Sequence, residues 1–192
     1  MSEKSAGFGD PSGNVIEARK ALQFIGFLLD SQEYAFRIET IQEIGIPGQI
    51  TVMPQVPAYV EGVSNLRGTI IPIIGLRSLF HFPDRSVGEE GRIIVLNVGA
   101  QKIGCLVDAV TKVIRVQSDA IELATEVAHT QGAKFISGFI KTGETPVIVL
   151  DVDELLDPEK LDEVHRIARS HLEQKTRGAS ETLLPKPAKN NA

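Results

Sequence analysis

The sequence predicts a mostly β protein built from two small barrels and followed by a C-terminal α-helix. Hydrophobic residues make up 42% of the 192-residue chain, and they are mainly Ile, Val, Leu and Ala, with 5% aromatic residues and no Trp. Such β-branched enrichment favours strands. At least eight short β-like runs, separated by Gly and Pro, occupy about 130 residues, which is typical of barrels and sandwiches. This length suits two small barrels better than one large barrel.

A polar leader is expected before the first hairpin. Residues 1–20 are rich in Gly, Ser and charged side chains, so they bury too little apolar surface to order themselves. Two β-rich runs follow at residues 24–29 and 34–38, and polar residues separate them. This arrangement predicts a hairpin with a short loop, in a folded domain that spans residues 21–175.

Short strands and helical turns are predicted after this hairpin. Gly and Pro limit each apolar run, and Pro57 and Gly62 suit the start and the end of a helical turn. The predicted strands are residues 40–44, 50–53 and 69–74, and the predicted helical turns are residues 56–62 and 76–82. Residues 83–91 are polar and are expected to form an exposed loop.

The second half of the sequence repeats this style and ends in a helix. Hairpins are predicted at residues 92–107 and 135–150, with a further strand at residues 109–116. Asp157 is a good N-cap, and Pro158 suits the first helical position. Apolar residues then recur at helical spacing up to about residue 174, at Leu161, Val164, Ile167, Ala168 and Leu172. Residues 176–192 read as a disordered tail.

Charge and hydropathy exclude several classes of partner. The chain has 20 Lys and Arg against 25 Asp and Glu, a net charge of −5, with no basic stripe, so nucleic acid is not expected to bind. No apolar run approaches the roughly 18 residues that a membrane span needs, so no direct membrane insertion is expected. The sequence also lacks a signal peptide, and its one cysteine, Cys105, lies in a buried-strand pattern, which indicates the cytoplasm.

Residues that could catalyse a reaction or hold a cofactor are not grouped in the sequence. The four histidines, at positions 81, 129, 165 and 171, lack metal-ligand spacing, and we expect them to be solvated. The phosphate-binding G-K-[ST] motif and the G-x-S-x-G nucleophile motif are absent, and Asp151 is expected to cap a short turn. These observations predict a protein without cofactor, metal or catalytic residues. A catalytic pair of carboxylates far apart in the sequence is not tested by this argument, because such pairs have no characteristic spacing.

The segment 65–68, Asn-Leu-Arg-Gly, is the most unusual local feature. It places an arginine in a turn directly before a strand rich in β-branched residues. Asn and Gly are common turn formers and exposed arginines are frequent, so local pattern alone fits a plain turn with a solvated Arg67.

A longer motif around this turn resembles a known family. Residues 62–77, GVSNLRGTIIPIIGLR, closely resemble the signature of the CheW family, the coupling proteins of bacterial chemotaxis arrays. Blocks on both sides agree in order, so the resemblance covers about residues 22–160. It implies two intertwined five-stranded SH3-like barrels with a C-terminal helix. It also implies a non-catalytic adaptor that links the histidine kinase CheA to chemoreceptors, to whose membrane-associated arrays it is recruited.

The resemblance also implies which residues contact these partners. Arg67 and Glu43 match the family's arginine and glutamate implicated in coupling, and they are expected to pair. The remaining implied protein-binding residues are Ile41 on the receptor-facing surface, and Asn65, Leu66 and Gly68, which shape the turn.

One position departs from the family pattern. The family usually has an acidic residue directly before Leu76 and Arg77, where this chain has Gly75. The missing charge leaves open whether the array controls chemotaxis or another output. A third alternative is a small-barrel module that binds a ligand or nucleic acid, because barrels of this type serve many functions.

Overall fold

The computed structural model describes residues 21–83, 85–124, 134–155, 159 and 161–170. These residues contain eleven strands, three α-helices and two single-turn 3-10 helices (Ile38–Thr40 and Ser118–Ala120), which confirms a mostly β fold. The strands are β1 (Ala21–Leu29), β2 (Gln32–Arg37), β3 (Ile41–Gly45), β4 (Val60–Leu66), β5 (Thr69–Gly75), β6 (Arg92–Val98), β7 (Gln101–Val107), β8 (Ala109–Gln117), β9 (Ile121–Leu123), β10 (Ile136–Ile140) and β11 (Val147–Leu150). The α-helices are α1 (Leu76–Leu79), α2 (Val152–Leu155) and α3 (161–170).

The strands form two curled sheets. The chain contributes β1 and β2 to the first sheet, then β3–β7 to the second, and then β8–β11 to the first again. The first sheet has the order β8-β1-β2-β11-β10-β9, and the second has the order β3-β6-β7-β5-β4. Strands from both ends of the domain therefore share one sheet, while the middle forms the other. This interleaving confirms the predicted pair of intertwined SH3-like barrels. One sheet has six strands instead of five, because the three-residue β9, which the sequence did not reveal, pairs with β10.

The predicted hairpins form in the expected places. The β1–β2 pair runs from Phe24 opposite Arg37 to Leu29 opposite Gln32. The β6–β7 hairpin is in continuous register, and the β10–β11 hairpin joins residues 136–150. Apolar, β-branched runs and the turn residues between them act locally, and they are sufficient to specify these antiparallel neighbours.

Two predicted elements between residues 50 and 62 are wrong. The helical turn at 56–62 is a tight turn instead, in which the Val60 N–H donates to the Pro57 carbonyl at 2.9 Å, and β4 begins there. Pairing with β5 overrides the local helical pattern. The strand at 50–53 is reduced to an isolated antiparallel bridge between Thr51 and Val63 of the edge strand β4.

The largest core lies between the two sheets. Phe27 and Phe36 from the first sheet meet Ile74 and Ile94 from the second, all fully buried. The buried face of α3 joins this core through Leu161, Val164 and Ala168, which confirms its amphipathic pattern. Two smaller hydrophobic clusters are formed by buried residues of the first sheet and of the second sheet, respectively. The predicted helix ends at 157 and 174, the leader, the tail, His129 and His171 lie outside the described residues.

Candidate functional site

The β4–β5 turn is a two-residue hairpin loop. Leu66 pairs with Thr69, which leaves Arg67 and Gly68 as the loop, with φ angles of 53° and 86°. Positive φ at both central residues matches the twist of adjoining antiparallel strands, and it is costly for arginine but not for glycine. The Gly68 N–H donates to Asn65 Oδ1 at 2.8 Å, which closes the turn. Asn65 and Gly68 therefore hold Arg67 at the outermost point of the hairpin.

Arg67 meets Glu43 across the surface of the second sheet. Arg67 Nη2 lies 3.1 Å from Glu43 Oε2, and their side chains are 87% and 25% exposed. The register of β3 on β6 shifts between Ile41 and Glu43, and such a bulge re-aims the side chains around it. The structure thus brings together the two charges that the family resemblance paired, although they are far apart in sequence.

A small depression of about 80 Å³ surrounds this ion pair. Leu66 lines it, and so does Lys102 from β7, a second cation that sequence reasoning missed. The register of the β6–β7 hairpin is the signal that could have placed Lys102 opposite Asn97, with only β6 between it and β3. Ile41 does not line the depression; it is partly buried and packs against the core between the sheets.

Exposed apolar side chains lie in β3 and in the segment that follows it. Ile44, Ile46 and Val52 are 40%, 75% and 77% exposed. Ile46 lines a groove of about 250 Å³ that it shares with Asn65 and Leu66. The charged turn therefore stands beside apolar surface that a protein partner could cover.

Arg77 is held in place without an acidic residue at position 75. Its side chain is 10% exposed, with Nη1 at 2.5 Å from Asp108 Oδ2 and Nη2 at 3.5 Å from Asp30 Oδ1. Nη2 also donates to the Pro83 carbonyl at 2.9 Å. Asp30 lies in the β1–β2 turn and Arg77 in α1, so this cluster ties the first sheet to the second. Two carboxylates from other segments, those of Asp30 and Asp108, therefore orient Arg77 although position 75 carries no acidic side chain.

The other candidate residues in the described part of the chain include Cys105, Asp151 and His81. No group of three or more His, Cys, Asp and Glu in this part of the chain could hold a metal. Cys105 is fully buried, and burial raises the pKa of its thiol. Asp151 Oδ1 accepts from the Asp153 N–H at 3.0 Å, which confirms the predicted cap. His81 is exposed as expected.

His165 differs from its prediction as a solvated residue. It is partly buried, with its ring nitrogens 2.9 Å from the Leu161 carbonyl oxygen and 3.1 Å from that of Lys102. The ring therefore joins α3 to β7. Docking of α3 onto the sheet created this environment, which no local pattern indicated. None of the described helices is both long and apolar enough to cross a membrane.

Two interleaved, curled sheets that present an ion-paired turn define a small-barrel β domain. Residues 23–160 match the family model described as "CheW-like domain". The chain is 36% identical to the chemotaxis protein CheW of Klebsiella aerogenes over 149 residues, 78% of this chain and 90% of that protein. It is 34% identical to CheW of Treponema pallidum over 143 residues, 72% of this chain and 84% of that protein.

A solved structure agrees with these relatives. The crystal structure of the scaffolding protein TtCheW from Thermoanaerobacter tengcongensis superposes with a TM-score of 0.68 at 31% identity, covering 73% of this chain and 96% of that one. The chain belongs to the CheW family of chemotaxis scaffold proteins.

Proposed function

We propose that the chain is a non-catalytic cytoplasmic adaptor that couples chemoreceptors to the histidine kinase CheA. The observation that carries this proposal is the ion pair between Arg67 and Glu43 on an exposed turn, at the two positions where the family resemblance implies coupling residues. The proposed contact surface comprises Ile41, Glu43, Asn65, Leu66, Arg67 and Gly68. An array that controls an output other than flagellar rotation would use the same contacts.

The energetics of the turn fit a role in orientation. An exposed ion pair contributes only about 0–1 kcal/mol to folding, so Glu43 fixes the direction of the Arg67 side chain more than it stabilises the domain. One guanidinium nitrogen contacts Glu43, and the other N–H donors of Arg67 still face solvent at 87% exposure. A partner's carboxylate or carbonyl groups could accept from them.

Affinity requires apolar contact in addition to this charge. Ile46, which is 75% exposed, shares a groove with Asn65 and Leu66, and Val52, which is 77% exposed, follows Thr51 of the same groove. Burial of such side chains by a partner is favourable by roughly 25 cal/mol per Å² of apolar area, before the cost of association is counted. We therefore propose that the aliphatic residues anchor a partner and that Arg67 sets its orientation.

Reconstitution tests this function. Receptors in membrane vesicles, the kinase from the same organism and this chain are combined, and ATP-dependent phosphorylation of the kinase is measured. We expect the chain to raise kinase activity. Arg67→Glu should remove most of this stimulation with a nearly unchanged melting temperature, because it reverses one exposed charge beside Glu43.

A matched control uses an ion pair on the other sheet. Lys141 Nζ lies 2.8 Å from Glu122 Oε2, and both side chains are well exposed. Lys141→Glu makes the same kind of charge reversal away from the turn, and it should leave stimulation intact. Full stimulation by Arg67→Glu, or an equal loss in both variants, would contradict the proposed role of the turn.

A further inference from the structure

A cavity of about 440 Å³ lies at the ends of β5 and β7. The residues that line it include Glu61, Gly75, Arg77, Ser78, Arg85, Val87, Leu106 and Asp108. None of the proposed coupling residues lines this cavity. It is therefore a separate feature of the second sheet.

The backbone directs the Glu61 carboxylate to this cavity. Val60 pairs with Ile74 and Gly62 pairs with Ile73, so Glu61 is the extra residue of a β-bulge on β4. Bulges re-aim side chains, and this one uses Gly62 at a φ of 142°, a conformation that suits glycine.

Glu61 occupies the space that a side chain at position 75 would need. A Cβ placed on Gly75 would lie 3.0 Å from Glu61 Cδ and closer still to Glu61 Oε1. Gly75 thus leaves room for an acid that comes from the neighbouring strand. The face that lacks an acidic residue at position 75 still carries a carboxylate at the same place.

Glu61 has no cationic partner within the described part of the chain. Its hydrogen bond there comes from Ser78 Oγ, at 3.4 Å from Oε1. The nearby charge of Arg77 is already committed to Asp108 and Asp30. With Arg85, which also lines the cavity, the charged side chains here are Glu61, Asp30, Asp108, Arg77 and Arg85, so three negative charges stand against two positive charges. A partly buried carboxylate in such surroundings favours a cation, since burial weakens its hydration.

We propose that this cavity receives a lysine or arginine side chain from a partner protein, with Glu61 as its counter-ion. The aliphatic side chains of Val87 and Leu106 provide apolar wall for the methylene stem, while Glu61 meets the charged head. This contact adds a second point of recognition to the adaptor, and it does not depend on the coupling role of the β4–β5 turn.

The test is a titration of the isotope-labelled full chain with N-acetyl-arginine-N-methylamide, followed by amide chemical shifts. We expect saturable, millimolar binding with shifts centred on Gly75 and Ser78. Glu61→Gln should weaken binding by about tenfold, because it removes the charge and keeps the shape. Gly75→Ala should weaken it similarly, because its methyl group displaces the carboxylate without changing any charge.

Matched variants and probes make the result decisive. Gly45→Ala, where a Cβ meets nothing within 4 Å, and Glu39→Gln, an exposed carboxylate elsewhere, should bind as the unaltered chain does. Equal binding of the capped norleucine probe would overturn the proposal, as would preferential binding of capped glutamate. Absence of saturable shifts in the unaltered chain would also overturn the proposal. If only the Arg85→Gln variant bound the probe, Arg85 itself would occupy the cavity in the unaltered chain, and the proposal would be wrong. Kinase stimulation is measured separately, so either proposal can fail alone.

Discussion

Replacing Arg67 by glycine should separate the strain of the β4–β5 turn from its charge. Arg67 has a φ of 53°, a left-handed conformation that costs a non-glycine residue roughly 1–2 kcal/mol. Glycine relieves this cost, but it adds about 0.4–1 kcal/mol of entropy to the unfolded chain. Loss of the Glu43 ion pair costs a further 0–1 kcal/mol or so. These contributions nearly cancel, so we expect the free energy of unfolding to change by less than about 1 kcal/mol.

Calorimetry and reconstitution together check this prediction. For a domain of this size, a change of about 1 kcal/mol shifts the melting temperature by about 2–4 °C. Kinase stimulation should nevertheless be lost in Arg67→Gly, because no guanidinium remains to orient the partner. Arg67→Lys should retain part of it, since an ammonium keeps the charge and lacks the planar fork. A fall in melting temperature well beyond this range would show that Arg67 is structural, and intact stimulation by the glycine variant would refute its role in coupling.

Two further predictions concern the barrel interior. Gly62→Ala should lower the melting temperature by about 4–8 °C, because position 62 has a φ of 142° and the new Cβ would lie 2.8 Å from the Thr51 carbonyl carbon. This shift corresponds to roughly 2 kcal/mol of backbone strain and collision. Gly45→Ala should have little effect, and equal effects of the two substitutions would refute the assignment of strain to position 62. Cys105 should resist thiol reagents in the native protein and react fully in denaturant, because burial raises the pKa of its thiol; rapid labelling of the folded chain would contradict its burial.

The sequence predicted antiparallel hairpins best where neighbouring residues specify them. The β6–β7 hairpin carries two apolar, β-branched runs and its Gly99-Ala100 turn within one short stretch, and its pairing is as predicted. Residues 56–62 show the opposite case. Their local pattern suits a helical turn, but the Gly75 N–H donates to the Tyr59 carbonyl at 2.8 Å, and pairing with β5 starts at Val60. Strand pairing contributes more hydrogen bonds and burial than one isolated helical turn.

In the candidate site, too, local features were predictable from the sequence and long-range contacts were not. The turn around Arg67 was visible in the sequence, because Asn and Gly mark such turns. Its pairing with Glu43 was expected only through the family resemblance, and Lys102 was not expected at all. Arg77 illustrates the limit, since its partners Asp30 and Asp108 lie 47 and 31 residues away along the chain. Spacing over such distances carries no signal of contact.

The sequence by itself determined the strand-rich composition, most hairpins, the amphipathic C-terminal helix and an arginine in a tight turn. Each of these depends on side-chain alternation or backbone preference within a few residues. Only the tertiary structure decided which strands share a sheet, that Glu43 reaches Arg67, that Asp30 and Asp108 hold Arg77, and that Glu61 fills the space beside Gly75. These contacts depend on strand register and bulges, which are set by burying a common core between two sheets.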